Sequence, residues 1–238
     1  MRTIRAVAFK EIQIYFSSPV AYIVALIFMV VGGAFFVSDL GNPFPEASLS
    51  NFFQGATLVM ILLAPALTMR LLAEEQKLGT IELLLTSPVR DWEVILGKYL
   101  ASVVFFLFLL ALTSYYVVLL VVFAKPDPGP IYSGYLGLVL YGMAALAVGI
   151  LTSTLTSNQI IAAVVGFGIL LVLSLGSSFI SSALTGTWAN FFDQLGFGGH
   201  FNDFDLGIID SANIVYFVSV TALFLFLSIR ALESRRWR

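Results

Sequence analysis

The 238-residue sequence has no cysteine and a single histidine, His200. Without cysteine it forms neither disulfides nor thiolate metal centres. Charge is scarce: Asp, Glu, Lys and Arg make up 11% of the chain, against about 25% in soluble domains. Nor is there a basic field of the kind that binds nucleic acid. The G-x-x-x-x-G-K-[ST] phosphate loop is missing, because Gly97-Lys98 is followed by Tyr99 and Trp92 stands where the earlier glycine belongs. That excludes ATP hydrolysis by such a loop on this chain. No long apolar run has an ionisable residue near its centre. This argues against a proton-coupled carrier and, less strictly, against a sodium-coupled one, since backbone carbonyls can also hold sodium.

What is present is apolar. The chain is 59% hydrophobic with a mean hydropathy of +0.98. At about 20 residues per span, it divides into six membrane spans, over about 20–37, 52–72, 99–123, 135–155, 160–180 and 214–232. Pro65 falls inside the second, where it is expected to kink the helix. Lys125 to Pro130 reads as a tight connector. No charge occurs between Asp127 and Asp193, and the polar cluster from Thr152 to Gln159 divides that long stretch into two spans. Ahead of the first span, Ile4 to Phe16 reads as an interfacial amphipathic helix, ended by Pro19. The following run, from Val20 to Val37, is too long for the apolar part of a secretory leader.

The positive-inside rule orients this arrangement. With both termini cytoplasmic, eleven of the twelve Lys and Arg residues lie inside and only Lys125 lies outside. The acidic residues divide seven and seven. The expected location is therefore a plasma (cytoplasmic) membrane, multi-pass, with the charged stretch from Arg70 to Lys98 in the cytoplasm.

That stretch reads as two hinged helices. Leu78, Ile81, Leu84 and Leu85 recur at helical spacing opposite Glu74, Lys77 and Glu82. Pro88 stops this first helix, and Ser87-Pro88 supplies an N-cap and a first-turn proline for a second. Such a helix either lies in the membrane interface or grips a soluble partner; for its charges, a plainly solvated face is the other reading.

The segment from Ser181 to Asn213 mixes Trp188, Phe191, Phe192, Phe197, Phe201 and Phe204 with Asp193, His200, Asp203, Asp205 and Asp210. It reads as two short aromatic-rich helices at the outer interface, turning at Gly196, Gly198 and Gly199. That reading is preferred over a metal site at His200, Asp203 and Asp205, whose spacing matches no familiar ligand set. Glycines in the fourth span (Gly134, Gly137, Gly142, Gly149) and the fifth (Gly166, Gly168, Gly176) permit close helix packing.

The run from Glu74-Glu75-Gln76-Lys77-Leu78-Gly79-Thr80 through Ile81-Glu82-Leu83-Leu84-Leu85-Thr86-Ser87-Pro88, with the later Gly97-Lys98-Tyr99, resembles the signature of type-2 ABC transporter permeases. Tyr15-Phe16-Ser17-Ser18-Pro19-Val20-Ala21-Tyr22 and His200-Phe201-x-x-Phe204-x-x-Gly207-Ile208-Ile209-Asp210 resemble the gliding-motility (GldF-like) and nitrous-oxide-accessory (NosY-like) branch. The resemblance implies an all-α membrane protein, a single permease domain over 1–238. It implies an N-terminal interfacial helix, a cytoplasmic coupling helix between spans 2 and 3, and short outer helices between spans 5 and 6. Two such chains, identical or related, would pair with two ATPase subunits. ATP and Mg would sit on those partners, with no cofactor and no catalysis on this chain. Glu74, Glu75, Gly79, Thr80, Glu82, Leu85 and Pro88 would couple to the ATPase, and Trp188, Phe191, Phe201 and Phe204 would mark the outer segment. The expected function is export or extraction of a lipid-like or polymeric substrate. The alternatives are a mechanotransmitter that relays ATPase motion to an outer partner, or a secondary carrier or scaffold.

Overall fold

Pro19 divides the first helical run. It lacks an N–H and clashes with the preceding turn, so α1 (Arg2–Ser17) ends at a bend and α2 (Pro19–Leu40) starts on the proline. The computed structural model describes residues 2–40, 48–80, 89–176 and 194–235. The remaining helices are α3 (Ser50–Lys77), α4 (Asp91–Phe123), α5 (Pro128–Leu155), α6 (Gln159–Leu171) with a π-helical extension over Val172–Gly176, α7 (Phe197–Asp205) and α8 (Ser211–Arg235). Among the described residues there is no strand. Six helices, α2 to α6 and α8, are long and apolar enough to cross a membrane, in agreement with the spans read from the sequence.

Local chemistry sets the helix ends. Asp127 caps α5 by accepting the Gly129 N–H at 3.1 Å, with Pro128 in the first turn. The connector is therefore shorter than expected, and the helix starts at Pro128 rather than Tyr135. Asn158 caps α6 by accepting the N–H groups of Ile160 and Ile161, so the polar cluster does divide α5 from α6. Between α7 and α8 the motif Gly207-Ile208-Ile209-Asp210 has a structural meaning. Gly207 adopts φ +88°. The Ile208 N–H bonds the Asp203 carbonyl and the Gly207 N–H bonds the Phe204 carbonyl, closing α7 with a Schellman motif. Asp210 then accepts the Ala212 N–H and opens α8.

Helix α5 is the centre of the bundle. It packs most extensively on α3 and α8, and also on α6, α7 and α4. Its small residues allow this. A Cβ on Gly134 would collide with the Phe53 ring, on Gly137 with Phe204, on Gly142 with Phe106 and on Gly149 with Thr68. A Cβ on Gly166 of α6 would fit more loosely, 3.0 Å from Thr152 and 3.2 Å from Pro65, and Gly168 faces open space. Helices α2, α6 and α8 are mostly exposed, as expected of surfaces that meet lipid or another chain.

The short helix α7 corrects one expectation. Gly196 is its N-cap, and Gly198 and Gly199 lie inside it, so they form no turn. Its aromatic residues point inward: Phe197, Phe201 and Phe204 are buried. Phe197 and Phe201 meet Tyr141 of α5 edge-on, Phe197 also meets Phe217 of α8 edge-on, and Phe204 lies tilted against Phe217, so these side chains are part of the bundle's core and do not dip into a lipid leaflet. Trp188 and Phe191 lie outside the described residues.

Gly142→Ala is expected to destabilise the chain by about 1–3 kcal/mol through overpacking against Phe106. Gly168→Ala, with space for its methyl, is expected to be neutral or to gain about 0.5–1 kcal/mol from helix propensity. Thermal unfolding of the two variants in the same detergent checks the contrast, and equal effects would refute it.

Candidate coupling site

The charged stretch begins on a helix that has not yet ended. Glu74 and Lys77, read from the sequence as part of a separate amphipathic helix, lie in the last turn of α3. The helix stops where Gly79 takes φ +71°, a left-handed conformation that side chains with a Cβ resist. Thr80 Oγ1 folds back to donate to the Glu75 carbonyl at 3.3 Å, satisfying one of the terminal carbonyls. Glu74, Leu78, Gly79 and Thr80 are exposed at this tip. Glu82, Leu85 and Pro88 lie outside the described residues, as does Ser87. Val89 and Arg90 are not helical and α4 starts at Asp91, three residues beyond the expected proline start. The Arg90 N–H donates to Glu93 Oε2, and Asp91 and Glu93 favour this end of the helix electrostatically.

Because α4 begins so early, Lys98 is not in a solvated loop. It lies about two turns inside the helix and is only 2% exposed. Its Nζ donates to Glu11 Oε1 of α1 at 2.6 Å and to Glu75 Oε1 of α3 at 2.8 Å. Glu75 thus faces inward rather than outward with Glu74. Its Oε2 is buried and has no hydrogen-bond partner among the described residues. Gly97, next to Lys98, explains how α1 gets close enough. A Cβ there would stand 2.8 Å from the Val7 side chain and 3.2 Å from the Ile4 carbonyl oxygen. The pair Gly97-Lys98 therefore does two jobs: the glycine admits α1, and the lysine locks it.

Further bonds fasten the same end of α3. Ser153 of α5 inserts its hydroxyl into the α3 backbone. Its Oγ accepts from the N–H groups of Leu72 and Ala73, both at 3.1 Å, and donates to the Met69 carbonyl at 3.0 Å. Gln76 Nε2 donates to the Thr154 carbonyl at 2.9 Å. From α1, the Tyr15 hydroxyl donates to the Leu67 carbonyl at 2.8 Å. Its ring stacks on Phe105 of α4, and the Arg70 guanidinium lies 4.9 Å from its centre. Burial pushes the Tyr15 phenol well above its ordinary pKa, against the opposing charge of Arg70. The group stays protonated and able to donate. A cleft of about 680 Å³ opens beside these contacts, lined by Lys10, Glu11, Arg70, Glu74, Glu75 and Lys98 among others. Acids and bases alternate in it, so it offers a mixed-charge surface next to the exposed tip.

The other sequence candidates lie at the opposite end. His200 is held by Asn213 at 2.6 Å and by the Gln194 carbonyl at 3.0 Å, and Asp203 accepts from Asn213 at 2.7 Å. Asp205 turns to the start of α3. His200 and Asp203 thus meet through Asn213, whereas Asp205 stands apart from them.

The family model of the ABC-2 family transporter proteins matches residues 41–194, which include α3 to α6. The chain belongs to the ABC-2 transporter family. It is therefore the membrane-spanning permease component of an ABC transporter, a multi-pass protein of a kind that generally leaves catalysis to ATPase partners. No curated protein matches the chain. The resemblance noted on Glu74–Pro88 agrees with membership. Sequence reasoning missed Glu11 and Ser153. Glu11 carried a signal, as the one acid in a helix whose other charges are basic; Ser153 carried none, being one hydroxyl in a polar run.

Lys98→Met leaves two carboxylates buried without their cation. It is expected to destabilise the chain by about 3–5 kcal/mol. The loss should be partly relieved in Glu11→Gln/Lys98→Met, because residues of one network are not additive. Unfolding midpoints of the wild type and both variants test this; a Lys98→Met midpoint equal to wild type would contradict the buried triad.

Proposed function

We propose that this permease works as one half of a membrane pore or lever, with two identical or related chains joined to two separate ATPase subunits that carry ATP and Mg. Residues 74–88 form the coupling segment. Glu74, Gly79 and Thr80 meet the ATPase together with Glu82 and Leu85, and Pro88 delimits the segment. Glu75 acts from the inside, by positioning the end of α3 on Lys98. The orientation that suits this places α1, the tip of α3 and both termini in the cytoplasm and the chain in the cytoplasmic membrane, as the distribution of Lys and Arg favours.

One observation carries the reading. The tip of α3 is exposed, yet within about three turns it is bonded to α1, α4 and α5 through Glu75, Tyr15, Ser153 and Gln76. A push on the segment beyond Gly79 therefore moves four helices together. ATP binding shifts the equilibrium only as far as the ATPase contact differs between states, and a stiff lever lets that difference reach the spans. The apolar spans favour export or extraction of a lipid-like or polymeric substrate over a small ion.

A second reading, a mechanotransmitter of the gliding-motility and nitrous-oxide-accessory type, is favoured by α7. That helix is fastened to both long central helices at the far end. Ser50 Oγ of α3 donates to Asp205 at 2.6 Å, and Ser133 Oγ of α5 donates to the Phe204 carbonyl at 2.7 Å. Motion of α3 would reach α7 and any partner docked there.

The test is affinity purification from the native host. An ATPase is expected to copurify with the wild type and to be lost when Gly79–Leu85 is scrambled. Glu82→Lys is expected to reduce coupled ATP hydrolysis without affecting membrane insertion. Full ATPase recovery and full coupled activity in the scrambled variant would overturn the coupling assignment. Extraction of labelled lipid from proteoliposomes on addition of ATP separates transport from force transmission.

A further inference from the structure

A second cavity, of about 510 Å³, lies at the α7 end between α3, α5, α7 and the π-helical end of α6. Its volume falls in the range of small-molecule sites, about 300–1,000 Å³. Gln54, Tyr141, Ser174, Asn202 and Asp205 supply its polar wall, and Leu58 belongs to its apolar side. Asp205 is the single charged residue among the described ones that line it, and it is only 7% exposed.

The two oxygens of Asp205 differ. Oδ2 accepts from Ser50 Oγ at 2.6 Å and from Gln54 Nε2 at 3.1 Å, next to the N-terminus of α3, where a negative charge is favourable. This oxygen is explained by the fold. Oδ1 is buried and has no hydrogen-bond partner among the described residues. A buried carboxylate oxygen without a donor is costly, and no Lys, Arg or His among the described lining residues offsets its charge. Opposite it, the hydroxyls of Tyr141 and Ser174 pair with each other at 2.6 Å. Leu58 and Leu175, on the same cavity, are 44% and 37% exposed and continue it onto the apolar outer surface of the bundle.

We propose that this cavity binds the ammonium group of a membrane amphiphile at the Asp205 carboxylate, with the apolar tail leaving past Leu58 and Leu175. The ammonium supplies both an N–H donor and the compensating charge. An anionic headgroup would meet a carboxylate with no base beside it. A neutral hydroxyl would donate the hydrogen bond but leave the charge uncompensated. The headgroup source is a lipid such as phosphatidylethanolamine or a free long-chain amine. The inference deepens the export reading by naming its substrate class, and it concerns binding alone, which needs no ATPase.

The full chain in a maltoside detergent is titrated against fluorescent dodecylammonium and, separately, the equally long fluorescent dodecyl alcohol, with binding read by anisotropy. The wild type is expected to bind the ammonium probe at least tenfold more tightly than the alcohol. Asp205→Asn should lower affinity for the ammonium probe at least tenfold and leave the alcohol within about twofold. Leu58→Trp, which narrows the apolar mouth and leaves Asp205 in place, should weaken both probes and serves as the second test should Asp205→Asn fold poorly. Displacement of the probe by phosphatidylethanolamine assigns the site to a lipid headgroup; displacement by dodecylamine alone assigns it to a free amine. Equal wild-type affinity for the two probes, or a folded Asp205→Asn variant that binds ammonium as the wild type does, would overturn the proposal. Neither result would touch the coupling assignment, which rests on ATPase copurification.

Discussion

The ion triad of Glu11, Lys98 and Glu75 is the constraint on which the lower half of this permease depends. Lys98 ties α1, α3 and α4 together at a single point. Taking a lysine and two carboxylates out of water costs several kcal/mol per ion, and the attraction between them offsets this only when the geometry is good. A buried pair of this kind is weak evidence for stability. It is better understood as a device that fixes one arrangement of three helices. Changing the register of α1 would strand a charge, whereas sliding one apolar face over another would cost little. The placement supports this view. The triad lies beside the exposed tip of α3, the proposed ATPase contact, and next to a glycine that lets α1 approach.

The same logic extends along α3 and α5. The two helices touch over most of their length, with glycines of α5 receiving Phe53 and Thr68 of α3. Ser153 enters the backbone ladder of α3 near one end, and Ser50 and Gln54 hold Asp205 of α7 near the other. Interiors packed this closely transmit displacement rather than absorb it. The proposed coupling requires a push at one face of the membrane to become a change at the other, and a pinned central pair of helices suits that requirement. The peripheral helices α2, α6 and α8 bury only 22% of their apolar windows inside the chain, which leaves area for the second chain proposed above.

The spans were legible in the sequence because burial in lipid needs long apolar runs and tolerates few charges. The Asn158 break and the Pro19 break were legible for the same local reasons that make them caps and stops. What the sequence hid was the depth of the charged stretch. Lys98 sits at the start of an apolar run, so it counts as a loop residue by hydropathy; only the early helix start at Asp91 carries it inside. Glu75 and Glu74 are adjacent in sequence and identical in type, yet one faces Lys98 and the other faces solvent, a difference set by helical phase and by a partner in a distant segment. The aromatic residues of α7 misled in the opposite direction. Aromatic content alone fits a membrane interface, but Gly137 leaves room for Phe204, and Tyr141 and Phe217 complete a buried cluster.

The central claim is that the α1 end of the permease moves as one body. The absence of cysteine makes it directly measurable, since spin labels attach only where cysteines are introduced. Labels at the exposed positions Phe9 on α1 and Leu78 at the tip of α3 report the distance across the triad, and a label at Ile208 reports on the far end. In the complex with its ATPase, the Phe9–Leu78 distance is expected to stay the same between the nucleotide-free and ATP-trapped states, and the Leu78–Ile208 distance along the pinned α3 is expected to stay the same with it. A Phe9–Leu78 distance that changes with nucleotide would contradict the account, because it would mean that the triad opens during the cycle instead of holding the lever together.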